Sequence, residues 1–234
     1  CKYIDEVKKY SIKNPNIDLG VHLTVTNEWK NYRWKSLMPA KESQTLVNSV
    51  GEFPIGIKKF VLKADPTELK KELQAQINKI KSLGIKPTHI DSHEGALFFN
   101  KEHFRVYLEV GEENKLPVFV PRGVDAHFGK GFPKPKNVVV IKDLYMARKG
   151  LKKTKWKEFY LNTIRGLKPG ISQLIVHLSY DDNEMREISI DHPDYGAKWR
   201  HLDYEAVTNI SFKKALKQND IKLVTWKEIQ KVLY

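Results

Sequence analysis

Between Lys86 and Gly95 the chain reads Lys-Pro-Thr-His-Ile-Asp-Ser-His-Glu-Gly, which sets His89, Asp91 and His93 in one short run. On a helix, His89 and His93 would share a face at i and i+4, the spacing of helical zinc sites. On a strand, His89, Asp91 and His93 share one face while Ile90 and Ser92 share the other. Local signals favour the strand: Gly84 stops the preceding helix, Pro87 keeps Lys86 out of helical geometry, and Gly95 closes the run. Two further histidines fall at the ends of apolar runs, His22 within Leu19 to Thr24 and His177 after Leu174-Ile175-Val176. Each of His22, His93 and His177 thus lies at or just past the carboxyl end of an expected strand, the edge on which parallel α/β proteins build their active sites. Neutral imidazoles with a carboxylate suit a divalent ion that activates water. Asp91 could be that carboxylate, or could orient a histidine from behind. The competing reading is a set of hydrogen-bonded histidines with no chemistry of their own.

The elements that would position these groups follow from hydrophobic periodicity. Ile4, Val7 and Tyr10 mark a helix over about Lys2 to Lys13, and Ile17 to Val25 reads as a β-rich run. Thr26 to about Ala64 reads as a long irregular stretch, where Trp29, Tyr32 and Trp34 could form a platform for sugar rings or fold back onto the core. Asp65-Pro66-Thr67-Glu68 is a helix start, and Leu69, Leu73, Ile77 and Ile80 form its apolar stripe. A helix over about Lys101 to Val110 leads to strand-like Leu116 to Val120, then Pro121-Arg122-Gly123 and a Gly- and Pro-rich loop. Val138 to Ile141 is another short strand, followed by a helix marked by Trp156, Phe159, Tyr160 and Ile164. The run ending in His177, a helix over about Trp199 to Leu216, a last strand at Lys222 to Val224 and a terminal helix capped by Thr225 complete the chain. Strands alternating with helices indicate a parallel α/β protein, here one domain over residues 1–234.

Composition sets the outer limits. A chain of 234 residues with 41% hydrophobic content supports one full-sized core, and no run is apolar enough to span a membrane. The net charge of +13 is spread over pairs such as Lys8-Lys9, Lys70-Lys71 and Lys213-Lys214, with no nucleic-acid motif, so nucleic acid is not an expected partner. Cys1 is the only cysteine, which excludes an internal disulfide. A processed lipoprotein also begins with cysteine, so Cys1 admits that reading too.

The residues Gly20-Val21-His22-Leu23-Thr24, then Thr88-His89-Ile90-Asp91-Ser92-His93, resemble the YdjC-like carbohydrate deacetylases, which include the chitooligosaccharide deacetylases. Ile175-Val176-His177 and the helix with Trp199-Arg200 fit the same pattern, so the resemblance covers nearly the whole chain. It implies a distorted (β/α) barrel related to the polysaccharide deacetylases. It also implies one divalent ion, Mg or Zn, used to remove an N-acetyl group from an amino sugar. His22 and His93 match the two metal histidines, and His177 matches a histidine that protonates the leaving amine. Arg122 resembles an arginine lining the groove, and His89 and Asp91 fall to supporting or substrate-binding roles. Two departures stand out: Glu94-Gly95 replaces further histidines, and Leu178 stands where a proline often follows the late histidine. The family also opens on a strand ending in an Asp-Asp pair that supplies the third ligand and the base. Nothing before His22 matches that pair, so the resemblance implies that the first βα unit is missing from this chain, which weakens the lipoprotein reading of Cys1. The chain as given is then expected to release little acetate by itself.

Two other functions compete. A glycosidase needs two facing carboxylates, for which Asp91 with Asp181 or Asp182 are the candidates. A carbohydrate- or polyanion-binding protein would rely on the aromatic stretch and the positive surface. Sugar identity, localisation and a homodimer stay open at this stage.

Overall fold

The computed structural model describes residues 3–124 and 138–234. Cys1 and most of the Gly- and Pro-rich loop lie outside the described residues. The chain divides into two compact units, the first made of Cys1–Glu28, Arg33–Val140 and Val224–Tyr234, the second of Trp29–Tyr32 and Ile141–Leu223.

In the first unit, helix α1 (Ile4–Lys13) is followed by strand β1 (Val21–Leu23), helix α2 (Ile57–Lys63) and helix α3 (Pro66–Ser82). Then come strand β2 (Ile90–Ser92), helix α4 (Lys101–Asn114) and strand β3 (Phe119–Pro121), with strand β4 (Val139–Ile141) at the boundary and helix α9 (Trp226–Leu233) closing the chain. Helix α3 starts as its sequence dictates. The Asp65 carboxylate accepts from the amides of Thr67 and Glu68, and Pro66 fills the first turn, where no amide is needed. Its stripe of Leu69, Leu73 and Ile77 is fully buried, and each such side chain contributes about 1.5–3 kcal/mol. The helix ends where Gly84 turns into left-handed backbone at φ +80°, as anticipated. Strands β1 and β2, on either side of α3, pair in parallel with Val21 beside Ile90, His22 beside Asp91 and Leu23 beside Ser92. Strand β2 continues toward the β3 segment through a parallel bridge between Ile90 and Val118. The buried Tyr107 hydroxyl lies 3.0 Å from the carbonyl oxygens of both Ile90 and Phe119 and donates into that seam.

The second unit holds β5 (Asp143–Met146), α5 (Trp156–Arg165), β6 (Ser172–Ile175), α6 (Asn183–Ile188), α7 (Ala197–Thr208) and α8 (Ile210–Gln218). Strands β5 and β6 are parallel, Tyr145 beside Leu174. The core here is Ala147, Trp156, Tyr160, Trp199 and Ala206.

The α/β reading holds, and among the described residues each sheet joins two strands and none closes on itself. Several boundaries differ from expectation for identifiable reasons. The helix expected over Trp199 to Leu216 is two helices, because Asn209 leaves helical geometry and its side chain caps α8 through the amide of Ser211. Lys222 to Val224 forms no strand: Leu223 and Val224 are exposed. Helix α4 runs four residues beyond Val110, to Asn114, and stops at Lys115 in left-handed backbone. The stretch from Thr26 to Ala64 contains α2, anchored by the buried Phe60. Strand β5 and helix α6 were not foreseen.

Candidate active site

The site is built on the parallel pair β1–β2. Val21 and Leu23 point into the core, so alternation turns His22 outward; Ile90 and Ser92 do the same for Asp91. Because the register sets His22 beside Asp91, their side chains meet, His22 Nδ1 lying 2.8 Å from Asp91 Oδ1. An ionised carboxylate only accepts, so His22 Nδ1 carries the proton and its Nε2 presents a lone pair. That Nε2 lies 3.2 Å from Nδ1 of His93, the two rings meeting edge to face. His93 is buried and begins a tight turn in which Glu94 (φ +53°) and Gly95 (φ +66°) are both left-handed. The turn brings the Glu94 carboxylate to 3.7 Å from Nε2 of His93, where the hydroxyl of buried Thr26 donates to it at 2.7 Å. Trp34 also packs edge to face with the His93 ring, with ring centres 5.1 Å apart. Two imidazole nitrogens therefore face each other, each ring having a carboxylate at its far nitrogen.

The loop carrying Trp34 is fixed by side chains from two places. Asn27, fully buried, accepts from the Trp34 amide at 2.6 Å and donates to the Trp34 carbonyl at 3.1 Å. Glu72 of α3, also fully buried, accepts from Ser36 Oγ at 2.5 Å and from the amides of Leu37 and Met38. One turn on, Gln76 pairs with both the amide and the carbonyl of Thr24, just past β1. Helix α3 thus holds the loop and the strand end together.

His89 lies apart from the facing pair. Its ring stacks on Trp226 with centres 4.8 Å apart and covers Gly20, whose missing side chain leaves the room. Burial pushes its pKa below the ordinary histidine value, the carboxylates of Asp91 and Asp18 opposing that shift. Arg122 is exposed in the turn after β3. In the second unit, His177 follows the end of β6; its amide donates to Asp203 Oδ2 at 3.0 Å and its ring meets Tyr195 edge to face. The reading from sequence missed Glu94, whose carboxylate the left-handed turn carries back to His93, and Asp203, which no local motif marks.

A family pattern described as YdjC-like protein matches residues 1–218. The chain belongs to the YdjC-like family. Two relatives, each named carbohydrate deacetylase, extend the match. That of Thermus thermophilus is 30% identical, over 93% of this chain and 79% of that protein. That of Thermoanaerobacter pseudethanolicus is 26% identical, over 96% of this chain and 82% of its own length. The fold is shared with the crystal structure of a putative cellobiose-phosphate cleavage protein from Enterococcus faecalis, at a TM-score of 0.72 and 22% identity over 96% of this chain and 82% of that one. Among the described residues of this YdjC-like chain, no group of three or more His, Cys, Asp or Glu side chains could hold a metal ion. No described helix is long and apolar enough to cross a membrane.

Proposed function

We propose that this YdjC-like protein is a carbohydrate deacetylase that hydrolyses the acetamide of an N-acetylated amino sugar with the help of one divalent ion, Mg or Zn. The observation that carries the reading is the pair His22 Nε2 and His93 Nδ1, 3.2 Å apart. Two nitrogens sharing one ion at about 2.1 Å each lie roughly 3.0–3.4 Å apart, so the pair fits that use. Asp91, hydrogen-bonded at the far nitrogen of His22, matches the carboxylate–histidine arrangement that fixes tautomers at metal centres, while Glu94 stands 3.7 Å from the far nitrogen of His93. The names of the relatives support the substrate class.

His22 and His93 would hold the ion. When bound it would supply Lewis acidity, polarising the acetyl carbonyl and making water a better nucleophile. The reaction needs a water oxygen bonded to the acetyl carbon, a broken C–N bond and a proton on the departing nitrogen. His177 is the proton donor in this reading, giving its proton to the amine as acetate forms. Arg122 and His89 are assigned to the sugar and to support of the site. The distorted (β/α) barrel belongs to the same proposal, supported by the alternation of strands and helices and the parallel sense of β1–β2 and β5–β6.

A glycosidase draws less support. Asp181 is engaged by Arg186 at 2.8 Å and Asp182 caps α6, so neither carboxylate is poised as an acid–base partner. The deciding experiment, run on the full-length protein, measures acetate release from N-acetylated chito-oligosaccharides with Mg or Zn added and then chelated, beside ion titration calorimetry of His22→Ala and His93→Ala. Chelation should stop turnover, and each variant should lose more than the roughly 10–100-fold in ion affinity typical of a supporting residue. Chelator-resistant turnover, or an unchanged affinity in His22→Ala, would overturn the reading.

A further inference from the structure

The second unit contains a carboxylate that its packing does not explain. Asp203 sits on α7 at 1% exposure among Trp156, Tyr160 and Trp199, where an ionised group costs several kcal/mol unless it is fully hydrogen-bonded. No lysine or arginine among the described residues pairs with it. Three donors meet it instead. Oδ1 accepts from Trp156 Nε1 at 2.8 Å and from the Tyr160 hydroxyl at 2.5 Å, while Oδ2 accepts from the His177 amide at 3.0 Å. Burial and the Asp203 charge both push the Tyr160 phenol well above its ordinary pKa, so it remains a donor.

The division of donors between the two oxygens is informative. Trp156 and Tyr160 share one oxygen, and a neutral asparagine could satisfy both. Only a carboxylate also offers an acceptor on the other side, and what stands there is the backbone of His177. That amide lies beyond the β5–β6 ladder, which ends at Ile175, so no strand partner serves it. The same helix reaches the surroundings of the His177 ring. Tyr195, in left-handed backbone at φ +60°, places its ring against that of His177, and its carbonyl accepts from Arg200 Nε of α7 at 2.6 Å.

We infer that Asp203 is the positioning residue of His177, fixing the backbone from which the imidazole projects. The inference rests on His177 being the proton donor of the reaction proposed above. It requires no contact between Asp203 and substrate.

The test is a double-mutant cycle on the metal-saturated full-length protein, with kcat and KM measured on an N-acetylated chito-oligosaccharide. Asp203→Asn keeps an acceptor for Trp156 and Tyr160 but turns a donor toward the His177 amide. It should lower kcat about 10–100-fold, the scale of a small misplacement, with KM and ion affinity little changed. In a His177→Ala background the same substitution should change kcat by less than about 2-fold, because nothing is left to position. An equal loss in both backgrounds would make Asp203 a purely structural carboxylate and overturn the inference while leaving the role of His177 intact. An unchanged kcat in His177→Ala alone would instead remove the proton donor, and Asp203 with it. Should Asp203→Asn not fold, Tyr160→Phe removes one of the two donors on Oδ1 and should show a smaller loss that likewise vanishes without His177. A loss that persists there would count against the inference.

Discussion

Replacing Asp91 tests the site at the point where fold and chemistry join. Its Oδ1 accepts from Nδ1 of His22 at 2.8 Å, with the two side chains 31% and 57% exposed. A hydrogen bond to a charged group contributes about 1.5–3 kcal/mol when shielded. At this exposure the lower end applies, about 1–1.5 kcal/mol, because solvent screens the pair. Each 1.4 kcal/mol is tenfold in a binding constant, so Asp91→Ala should weaken ion binding about 5–10-fold. Asp91→Asn keeps a neutral acceptor and should cost less, about 2–5-fold. Both act by loosening the tautomer and orientation of His22, not by removing a ligand. Calorimetric titration at one fixed pH reads the effect directly, since ion binding competes with protons for the imidazoles. Two results would refute the reasoning. Unchanged affinity in Asp91→Ala means that His22 needs no carboxylate behind it, and a loss beyond about 1,000-fold means that Asp91 touches the ion itself.

Three further outcomes follow from the packing around the site. Gly20→Ala would set a side-chain carbon 2.4 Å from the His89 ring, which Trp226 backs on the other side, so it should destabilise the protein by about 1–3 kcal/mol; an unaltered denaturation midpoint would contradict the tight seat. Glu72→Gln should lower the melting temperature by several degrees, because with its oxygen kept toward Ser36, Leu37 and Met38 its amide nitrogen replaces the oxygen that accepts from Gln76 Nε2 at 2.9 Å and sets donor against donor, and ion affinity should fall with it through the Trp34 loop. His103 is buried with Nε2 donating to the Ala64 carbonyl, and burial pushes its pKa below the ordinary value. The unfolded chain therefore binds its proton more readily, so stability is full above about pH 6.5 and is lost as pH falls toward the folded pKa. Urea midpoints between pH 7.5 and 5 should fall less steeply in His103→Gln, with His89, shifted in the same direction, keeping part of the slope.

What was legible in the sequence was whatever a local signal encodes. The Asp65 cap, the Leu69–Leu73–Ile77 stripe and the Thr225–Glu228 capping box all stand where the residues put them. The strand reading of Ile90 to Ser92 holds because Pro87 and Gly95 bound it from both sides. The failures share one cause. The expected strand at Lys222 to Val224 had the right composition but, among the described residues, no neighbour to pair with, and β-propensity records fit to a pleated neighbour more than an intrinsic preference. Glu94 and Asp203 were illegible for a related reason. Glu94 reaches His93 only because two consecutive residues are left-handed, and Asp203 meets His177 across 26 positions of sequence. His89 shows the converse: alternation along the strand assigned it to the face of Asp91 and His93, and the absence of a side chain at Gly20 drew its ring into a stack with Trp226.

The facing histidines depend on apolar residues that take no part in chemistry. Parallel pairing sets His22 beside Asp91 only in the observed register, and a slip of one residue would bring Ile90 or Ser92 beside His22. The same slip would turn Ile90 out of the core, where it is now fully buried, forfeiting about 2–3 kcal/mol, and would leave the Tyr107 hydroxyl without its Ile90 carbonyl. Val21 and Leu23 impose the matching constraint on β1. His22 is the more exposed partner of its hydrogen bond with Asp91 and could not hold its own position by burial. Its placement to within hydrogen-bonding distance is inherited from the core on the opposite face of the two strands. A core substitution such as Ile90→Ala should therefore weaken the His22–Asp91 contact without touching either residue.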